Sequence, residues 1–566
     1  MSSVSKPRVR HNRHKQGLNL TLEKLSADFR LYKNIIISAL FAGAALTVTS
    51  CIGDLDLEPN DPNTTTAGNL TEETYEAVLA KCYSSMAVSG QTGPDGGSDI
   101  SGLDGGTGQY TRALFMLNEF PTDESKWIWA DEGVFDLNTN TWSKGNVNIF
   151  GTYSRLYVHI AICNDFLRLV KGKEHFAQMA LEARTLRAMS YYNVIDLFGQ
   201  GGFITEDDAA GSAPKQKSRL ELYNWLVEEL EDIVANISEE TPHYGRVGKD
   251  GAEALLARLY LNAKVFSGTA AYDKCAQHCE NIIARHKGTG FQGSGLVDHY
   301  LYLFCGDNDV YMPGGSDVNE ILWGIPYDAV EITPYGGTTF LCCAGVSNLT
   351  WDTDKAYMNC EDYGLNQQWG CMHATAEFAD KFGSEYNDIR WSMWKKDDDG
   401  FSKANTQFSK FTQGYGVVKF TNLQRGTNGE LKAPNEITKF PNTDLPLIRL
   451  ADVYLMYAEC AMRGAADKAK GVEYANYVRE RAGVSKWTEA ELTEQNIIDE
   501  RCRELYWENV RRTDLVRFGL FAGNKYLWSW KANVAAGAAF PEYMNLFPIP
   551  SSVIAAQPDF KQNPNY

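Results

Sequence analysis

The sequence lacks the short motifs that mark many catalytic sites. It contains no His-Glu-x-x-His metal motif, no Gly-Lys-Ser/Thr phosphate loop, no Gly-x-Ser-x-Gly elbow and no dinucleotide fingerprint after a strand. Its nine histidines are scattered. We therefore expect a protein that is not an enzyme. A glycosidase needs only two carboxylates whose separation is set by folding, so a helical glycoside hydrolase remains an alternative.

Basic residues are also scarce. The chain has 54 Lys and Arg against 72 Asp and Glu, a net charge of −18. Residues 1–50 hold eight basic and two acidic residues, so the remainder has 46 against 70, a net charge of about −24. Phosphate backbones need a basic surface, which excludes nucleic acid as a partner. The same charge disfavours an anionic ligand and favours a neutral polar one.

Long apolar runs are absent except near the N-terminus. Residues 35–51 are uncharged and follow a basic leader, but the run is too short to span a bilayer comfortably. Small residues followed by Cys51 resemble a lipoprotein cleavage site, which predicts a signal over 1–50 and acylation of Cys51. Residues 51–70, acidic and punctuated by prolines, would then be a tether. An ordinary signal peptide is the alternative.

Helical periodicity dominates the remaining sequence and predicts a mainly α fold in one domain over 71–566. The expected helices cover 71–88, 153–169, 177–198, 222–237, 255–266, 272–285, 450–463, 466–481, 489–508 and 511–520. Their recurrence predicts a scaffold of helix–turn–helix units like tetratricopeptide repeats over 71–88, 153–286 and 450–520. Few short strands are expected, for example over 320–325.

Two long segments, 89–150 and 287–445, interrupt this scaffold. They are rich in Gly, Asn, Asp and aromatic residues, in a chain that has 13 Trp, 29 Tyr and 26 Phe. Irregular segments of this length are usually functional or disordered, and these carry too many rings for disorder. We therefore expect the ligand to bind on these loops.

The cysteines leave several alternatives open. The chain has 12, of which eleven remain if Cys51 is acylated. Cys275, His278 and Cys279 share one helix face and are a weak candidate for a metal site. Cys342 with Cys343, and Cys360 with Cys371, are candidates for disulfides in an oxidising compartment, although sequence does not give connectivity.

The C-terminal half resembles the SusD/RagB family of outer-membrane nutrient-binding lipoproteins. The matching stretches, quoted by residue range, are 449–459 (RLADVYLMYAE), 478–483 (VRERAG), 500–505 (ERCREL), 511–519 (RRTDLVRFG), 548–550 (PIP), 562–564 (QNP), and upstream 182–188 (EARTLRA) and 254–261 (ALLARLYL). The resemblance implies a lipid-anchored protein on the outer membrane, facing the cell exterior, that delivers its ligand to a SusC-like TonB-dependent transporter.

The loops resemble those of starch-binding members of the family. The stretches that carry this likeness are 118–124 (NEFPTDE), 127–129 (WIW), 335–340 (YGGTTF), 368–371 (QWGC) and 524–531 (NKYLWSWK). The resemblance implies that Trp129, Tyr335 and Trp369 stack on sugar rings. It implies hydrogen bonds to sugar from Arg112, a supporting place for Trp127, and a ligand-facing Glu132 where those members have Asn.

Flat rings suit the apolar faces of sugars, and a curved row of rings suits a coiled glucan. The expected ligand is therefore a starch-like maltooligosaccharide, with another glycan or a peptide as alternatives. The resemblance also implies a calcium site at Asp309, Asn442 and Asp444, whose side chains offer the oxygen ligands that calcium prefers. No organic cofactor is expected.

Overall fold

The computed structural model describes residues 70–90, 97–346, 359–383, 387–391, 403–410 and 413–566. Residues Glu72–Tyr566 form one compact unit. The predicted signal, most of the tether and Cys51 lie outside the described residues. None of the helices in the described ranges has the length and apolar character needed to cross a membrane.

Helices supply most of the regular structure. The α-helices are α1 Glu72–Ala87, α2 Tyr110–Asn118, α3 Val134–Asn138, α4 Val147–Val170, α5 Ala177–Leu197, α6 Arg219–Asn236, α7 Lys249–Leu261, α8 Ala263–Ser267, α9 Tyr272–His286, α10 Gly337–Ala344, α11 Ala376–Asp380, α12 Leu450–Met462, α13 Lys468–Arg481, α14 Glu494–Leu505, α15 Arg511–Arg517 and α16 Ser551–Ala556. Short 3-10 turns lie at Glu174–Phe176, Phe291–Gly293, Tyr300–Phe304, Asn308–Tyr311, Cys360–Tyr363, Glu489–Glu491, Lys531–Asn533 and Glu542–Asn545.

The long helices form the predicted scaffold by packing on their neighbours in sequence. Helix α4 packs on α5, α5 on α6, α6 on α7, α7 on α9, α9 on α12 and α12 on α13. Local sequence signals set where they begin. The Ser218 side chain and Glu221 make a capping box at the start of α6, and Asn146 accepts hydrogen bonds from the first turn of α4. The mainly α, repeat-like fold is thereby confirmed.

Three predicted helices have clearly different limits. The helix expected over 153–169 begins six residues earlier, at Val147 of α4, where Asn146 caps it. The helix expected over 489–508 is a 3-10 turn followed by α14, because Thr493 adopts an extended conformation and caps α14 by accepting a hydrogen bond from Asn496. The helix expected over 255–266 is divided into α7 and α8 at Asn262, because the ψ of 4° at this residue departs from helical geometry.

Strands are short and lie mostly in the two interrupting segments. They are β1 Ser125–Trp127, β2 Gly201–Phe203, β3 Lys215–Lys217, β4 Ile321–Ile325, β5 Met372–Ala374, β6 Tyr415–Gly416, β7 Gln424–Arg425, β8 Leu431–Lys432 and β9 Leu445–Arg449. The order β1-β5-β6 makes one antiparallel sheet, and β4 pairs antiparallel with β9. The strand predicted over 320–325 is confirmed as β4. β9 runs directly into α12, so this pair ties the second interrupting segment to the scaffold.

A buried ion network fastens the second interrupting segment to the C-terminal helices. The Glu504 carboxylate of α14 accepts from Arg449 at 3.0 Å, Arg481 at 2.5 Å and Arg390 at 3.1 Å. Glu320, which precedes β4, accepts from Arg449 and Arg481. All five side chains are inaccessible to solvent. The charged residues of the motifs VRERAG and ERCREL therefore hold the fold together.

The described cysteines form no disulfides. All eleven thiols within the described ranges are free and buried, so neither disulfide candidate is realised there. Sγ of Cys275 lies 4.0 Å from that of Cys279, but His278 turns its ring to Glu253 at 2.8 Å. No group of three or more His, Cys, Asp or Glu side chains in the described part of the chain is arranged to hold a metal.

Candidate functional site

Five aromatic side chains from both interrupting segments make a continuous cluster. Trp129 meets Trp127 edge to face at 5.8 Å between ring centroids, and Trp127 stacks on Phe340 at 5.7 Å. Phe340 lies 6.4 Å from Trp369, which lies 6.5 Å from Tyr335. The three rings predicted to stack on sugar are therefore brought together, although they are up to 240 residues apart in sequence.

Exposure divides the cluster into two layers. Trp129 is 40% exposed, and Tyr335 and Trp369 are partly exposed. We call these three residues the aromatic surface. Trp127 and Phe340 are only 2% and 1% exposed and lie behind it. Trp127, expected to support its neighbours, therefore lies behind the other rings and has no free face to offer.

The backbone around Trp127 fixes its position. Its amide donates to Asn138 Oδ1 at 3.0 Å, and its indole Nε1 donates to Asp131 Oδ2 at 2.7 Å. Asn138 also donates to the carbonyl oxygens of Phe120 and Ser125. Glu132, the residue after Asp131, is exposed, and its main-chain carbonyl oxygen accepts a hydrogen bond from the Asn148 side chain. Its side chain is thus exposed close in sequence to Trp129, and its contact with the ligand stays a prediction.

Arg112 of α2 lies under the rings. Its guanidinium carbon is 4.8 Å from the ring centroid of Phe340 and 5.6 Å from that of Trp369, which are cation–π distances. Nη1 donates to the carbonyl oxygen of Tyr335 at 2.9 Å. Arg112 is 9% exposed, and burial lowers the pKa of its guanidinium. Nε has no protein partner among the described residues, so the predicted donation to sugar stays a prediction.

Gln109 joins three segments beneath the aromatic surface. Its Oε1 accepts from the amides of Arg112 at 2.9 Å and Gly337 at 3.1 Å, and its Nε2 donates to the carbonyl of Met86 at 2.7 Å. It thereby caps α2 and connects the end of α1 to the Tyr335 loop. Gly337 has a φ of +54°, and a Cβ there would stand 2.2 Å from the hydroxyl of Tyr327, so only glycine fits.

The segment between α2 and β1 is anchored to the C-terminal part of the chain. Glu124 accepts from the Trp507 amide at 3.2 Å, and Asp123 makes a paired contact with Arg511 at 2.7 and 2.8 Å. Burial raises the pKa of both Glu119 and Glu124, whose carboxyls lie close to each other. Burial also opposes ionisation of Asp123, yet the Arg511 guanidinium holds its pKa well below the ordinary value.

The predicted calcium ligands lie at the edge of the β4–β9 pair. Asp444 accepts from the Tyr244 hydroxyl at 2.6 Å and from the Tyr327 amide at 2.9 Å. Burial, with added repulsion from Asp309 and Asp328, nevertheless raises the pKa of Asp444 to about 7.

Carboxylate oxygens suit a divalent cation because each keeps a lone pair after accepting one hydrogen bond, but the acidic side chains of the described residues do not form a metal-holding group of three here. Asn442 Oδ1 accepts from the Ala329 amide at 3.0 Å, so that ligand oxygen is also partly engaged. Asp328 was not predicted and is a further candidate ligand.

Comparison with known proteins agrees with this fold. The model of the SusD family matches residues 351–566. The starch-binding protein SusD of Bacteroides thetaiotaomicron is 32% identical, over 94% of this chain and 99% of its own. The chain therefore belongs to the SusD family. This is a family of binding proteins rather than enzymes, which confirms the prediction that the chain is not an enzyme.

Solved structures show the same architecture. A surface glycan-binding protein A from Bacteroides thetaiotaomicron, in complex with laminarihexaose, superposes with a TM-score of 0.63 at 19% identity, covering 88% of this chain and 100% of the other. A SusD superfamily protein from Parabacteroides distasonis gives 0.64 at 20% identity, with the same coverage of both chains. At such identities the likeness is one of fold.

Sequence reasoning missed several residues of the site. Gln109 and Phe340 are buried, and nothing in the pattern around them distinguishes them from core residues. Lys439 donates to the Tyr335 hydroxyl at 2.5 Å from a loop 104 residues away. A lysine in a loop is normally expected to be solvated, so only the folded structure could show that Lys439 contacts Tyr335.

Proposed function

We propose that this protein is a surface receptor for starch-like α-linked glucans, which it captures on Trp129, Trp369 and Tyr335. The observation that carries the proposal is the exposure of these three rings on one cluster supported from behind by Trp127 and Phe340. The 32% identity to a starch-binding protein over nearly the whole chain supports the same ligand.

The physical basis is the match between flat rings and sugar faces. Each pyranose has an apolar C–H face that packs on an aromatic ring and a hydroxyl edge that polar groups read. Tyr335 and Trp369 are inclined by 36°, so successive sugars on them would also be inclined. An α-linked glucan coils and suits such an arrangement, whereas an extended glucan does not.

The receptor is proposed to act at the cell surface. Lipid attached at Cys51 would anchor the chain to the outer membrane, and the bound oligosaccharide would pass to a SusC-like TonB-dependent transporter. The basic leader, the apolar run 35–51 and the acidic tether support the anchor. Radiolabelled palmitate incorporated by wild type and lost in Cys51→Ser would test it, and retained label would reject it.

Calorimetric titration of the purified protein tests the ligand. Maltoheptaose is expected to bind, with laminarihexaose and cellohexaose binding far more weakly. Trp369→Ala is expected to weaken the binding of maltoheptaose about tenfold or more, since central aromatic residues dominate the binding energy of such contacts. Leu220→Ala, which alters an exposed apolar residue on the scaffold helix α6, is the matched control and should bind normally.

The other outcomes separate the alternatives. Equal binding of all three glucans would reject the starch assignment, and binding of a different glycan or a peptide alone on an array would replace it. Unchanged affinity in Trp369→Ala would reject the aromatic surface as the site. Release of short sugars from starch, followed by chromatography, would indicate the hydrolase.

We also propose that Asp309, Asn442 and Asp444 hold calcium, with Asp328 nearby. The raised pKa of Asp444 supports this, because a cation would relieve the repulsion among these carboxylates. Calcium here would brace the β4–β9 pair and the adjoining loop rather than contact sugar.

A further inference from the structure

Tyr335 is held at its main chain and at the end of its side chain. Its carbonyl oxygen accepts from Arg112 at 2.9 Å, and its hydroxyl oxygen accepts from the Lys439 ammonium at 2.5 Å. The ring rests edge to face on Phe440, which is 7% exposed, with 5.4 Å between ring centroids. The position of the ring and of its hydroxyl oxygen is therefore fixed before any ligand arrives.

The loop of Lys439 is itself tied to the segment that leads to Trp369. Thr438 forms a parallel β-bridge with Leu365, and its carbonyl oxygen accepts from the Asn366 amide at 2.9 Å. The side chain of Gln367 donates to the carbonyl oxygen of Lys439 at 2.5 Å. Lys439, Tyr335 and Trp369 are thus connected through these contacts, although they come from three separate loops.

A phenol oxygen that accepts from an ammonium turns its own O–H elsewhere. The acceptor lone pair points to Lys439, so the hydroxyl hydrogen of Tyr335 is directed away from the lysine. Accepting a charge-assisted hydrogen bond also polarises the O–H and strengthens it as a donor. The aromatic surface otherwise offers apolar ring faces, and the buried Arg112 lies behind them.

We propose that Lys439 is a specificity-determining residue that acts through Tyr335, by making its hydroxyl a preset donor to an oxygen on the edge of the bound glycan. This inference rests on the proposed function. It adds to that function a hydrogen bond to the edge of the sugar that packs against Trp369. Lys439 is a positioning residue in this scheme, and Tyr335 makes the ligand contact.

A double-mutant cycle tests the proposal with maltoheptaose. Tyr335→Phe keeps the ring and removes the hydroxyl, while Lys439→Met keeps the length of the side chain and removes the charge. Each is expected to weaken binding roughly fivefold, the effect of one lost polar contact. The double variant should be no weaker than Tyr335→Phe alone, because both substitutions remove the same donor. Lys439→Arg should restore most of the affinity.

Control measurements distinguish the possible failures. Lys432→Met, at another exposed lysine in the same interrupting segment, should bind like wild type. Multiplying effects in the double variant would show that Lys439 acts independently of Tyr335 and would overturn the proposal. Unchanged binding in Tyr335→Phe would also overturn it while leaving the receptor role intact. Failure of the wild-type protein to bind maltoheptaose would instead reject the proposed function.

Discussion

The Oε1 atom of Gln109 accepts a hydrogen bond from the amide of Gly337, 3.1 Å away and 228 residues further along the chain. This contact is one of several that join the first interrupting segment to the second, together with the pairing of β1 with β5. Arg112 follows Gln109 and Tyr335 precedes Gly337 in sequence, so the contact also brings Nη1 of Arg112 to 2.9 Å from the carbonyl oxygen of Tyr335.

Replacing Gln109 with leucine should therefore damage both stability and binding. The amides of Arg112 and Gly337 and the carbonyl of Met86 would lose buried partners, which costs about 2–4 kcal/mol in the free energy of unfolding. Urea unfolding measures the loss, and calorimetry measures the weaker binding. Gln216→Leu removes hydrogen bonds at a partly exposed glutamine and should cost well under half as much. Equal losses would contradict the role of Gln109.

Asp444 should give the protein a pH dependence that calcium removes. Its folded pKa of about 7 is above the ordinary 3.8, so its contribution to stability is complete below the ordinary value and is lost as the pH rises to about 7. Asp444→Asn should be more stable than wild type at pH 8 without calcium. Thermal melts at pH 5 and pH 8 in a chelator measure this difference.

Added calcium should raise the melting temperature of wild type, and more at pH 8 than at pH 5, because a cation competes with the proton. Asp444→Asn should lose this response. Asp165→Asn, at an exposed carboxylate paired with Arg168, is the matched control and should retain it. A calcium response that survives in Asp444→Asn would place the ion elsewhere.

Glu504 should be the most sensitive acidic residue of the scaffold. Removal of its carboxylate in Glu504→Ala takes one anionic partner from Arg390, Arg449 and Arg481 and leaves the buried network with an unbalanced positive charge, an effect of about 3–5 kcal/mol. Glu480→Ala breaks a partly exposed pair with Lys486 and should change stability by less than about 1 kcal/mol. Chemical denaturation of both variants gives the comparison, and a mild effect of Glu504→Ala would show that the network is dispensable.

Reduction should leave the fold unchanged. Every described cysteine is a buried thiol, so no described disulfide holds segments together. The melting temperature in excess dithiothreitol should equal that without it. Burial raises the pKa of thiols such as Cys342, which should also make them unreactive towards iodoacetamide until the protein unfolds. A lowered melting temperature on reduction would contradict this and show that two of these cysteines are paired.

The helical scaffold could be predicted because local signals determine it. Apolar spacing predicts α5 and α9 to within one residue at each end, and α4 except for its first six residues, without reference to the rest of the chain. The stacking rings could be proposed from resemblance. Their supports could not, because the pairing of Gln109 with Gly337, or of Lys439 with Tyr335, joins segments whose separation gives no periodic signal.

The cysteine candidates also show that sequence alone does not predict which side chains meet. Cys360 and Cys371 are eleven residues apart and plausible as a disulfide by spacing, but the fold buries each thiol separately. Residue type and spacing suggest which groups are available for a bond. The direction of each side chain is set by tertiary contacts that only the folded chain reveals.

The anchoring of the first interrupting segment by the last part of the chain has a consequence for biosynthesis. Glu124 and Trp507 are 383 residues apart, and Asp123 and Arg511 are 388 apart. Most of the polypeptide must be made before these long-range contacts close, and such contacts slow folding. A nascent or C-terminally truncated chain would contain Trp129 and its neighbours but hold them loosely. Ligand capture would therefore begin only once synthesis has been completed.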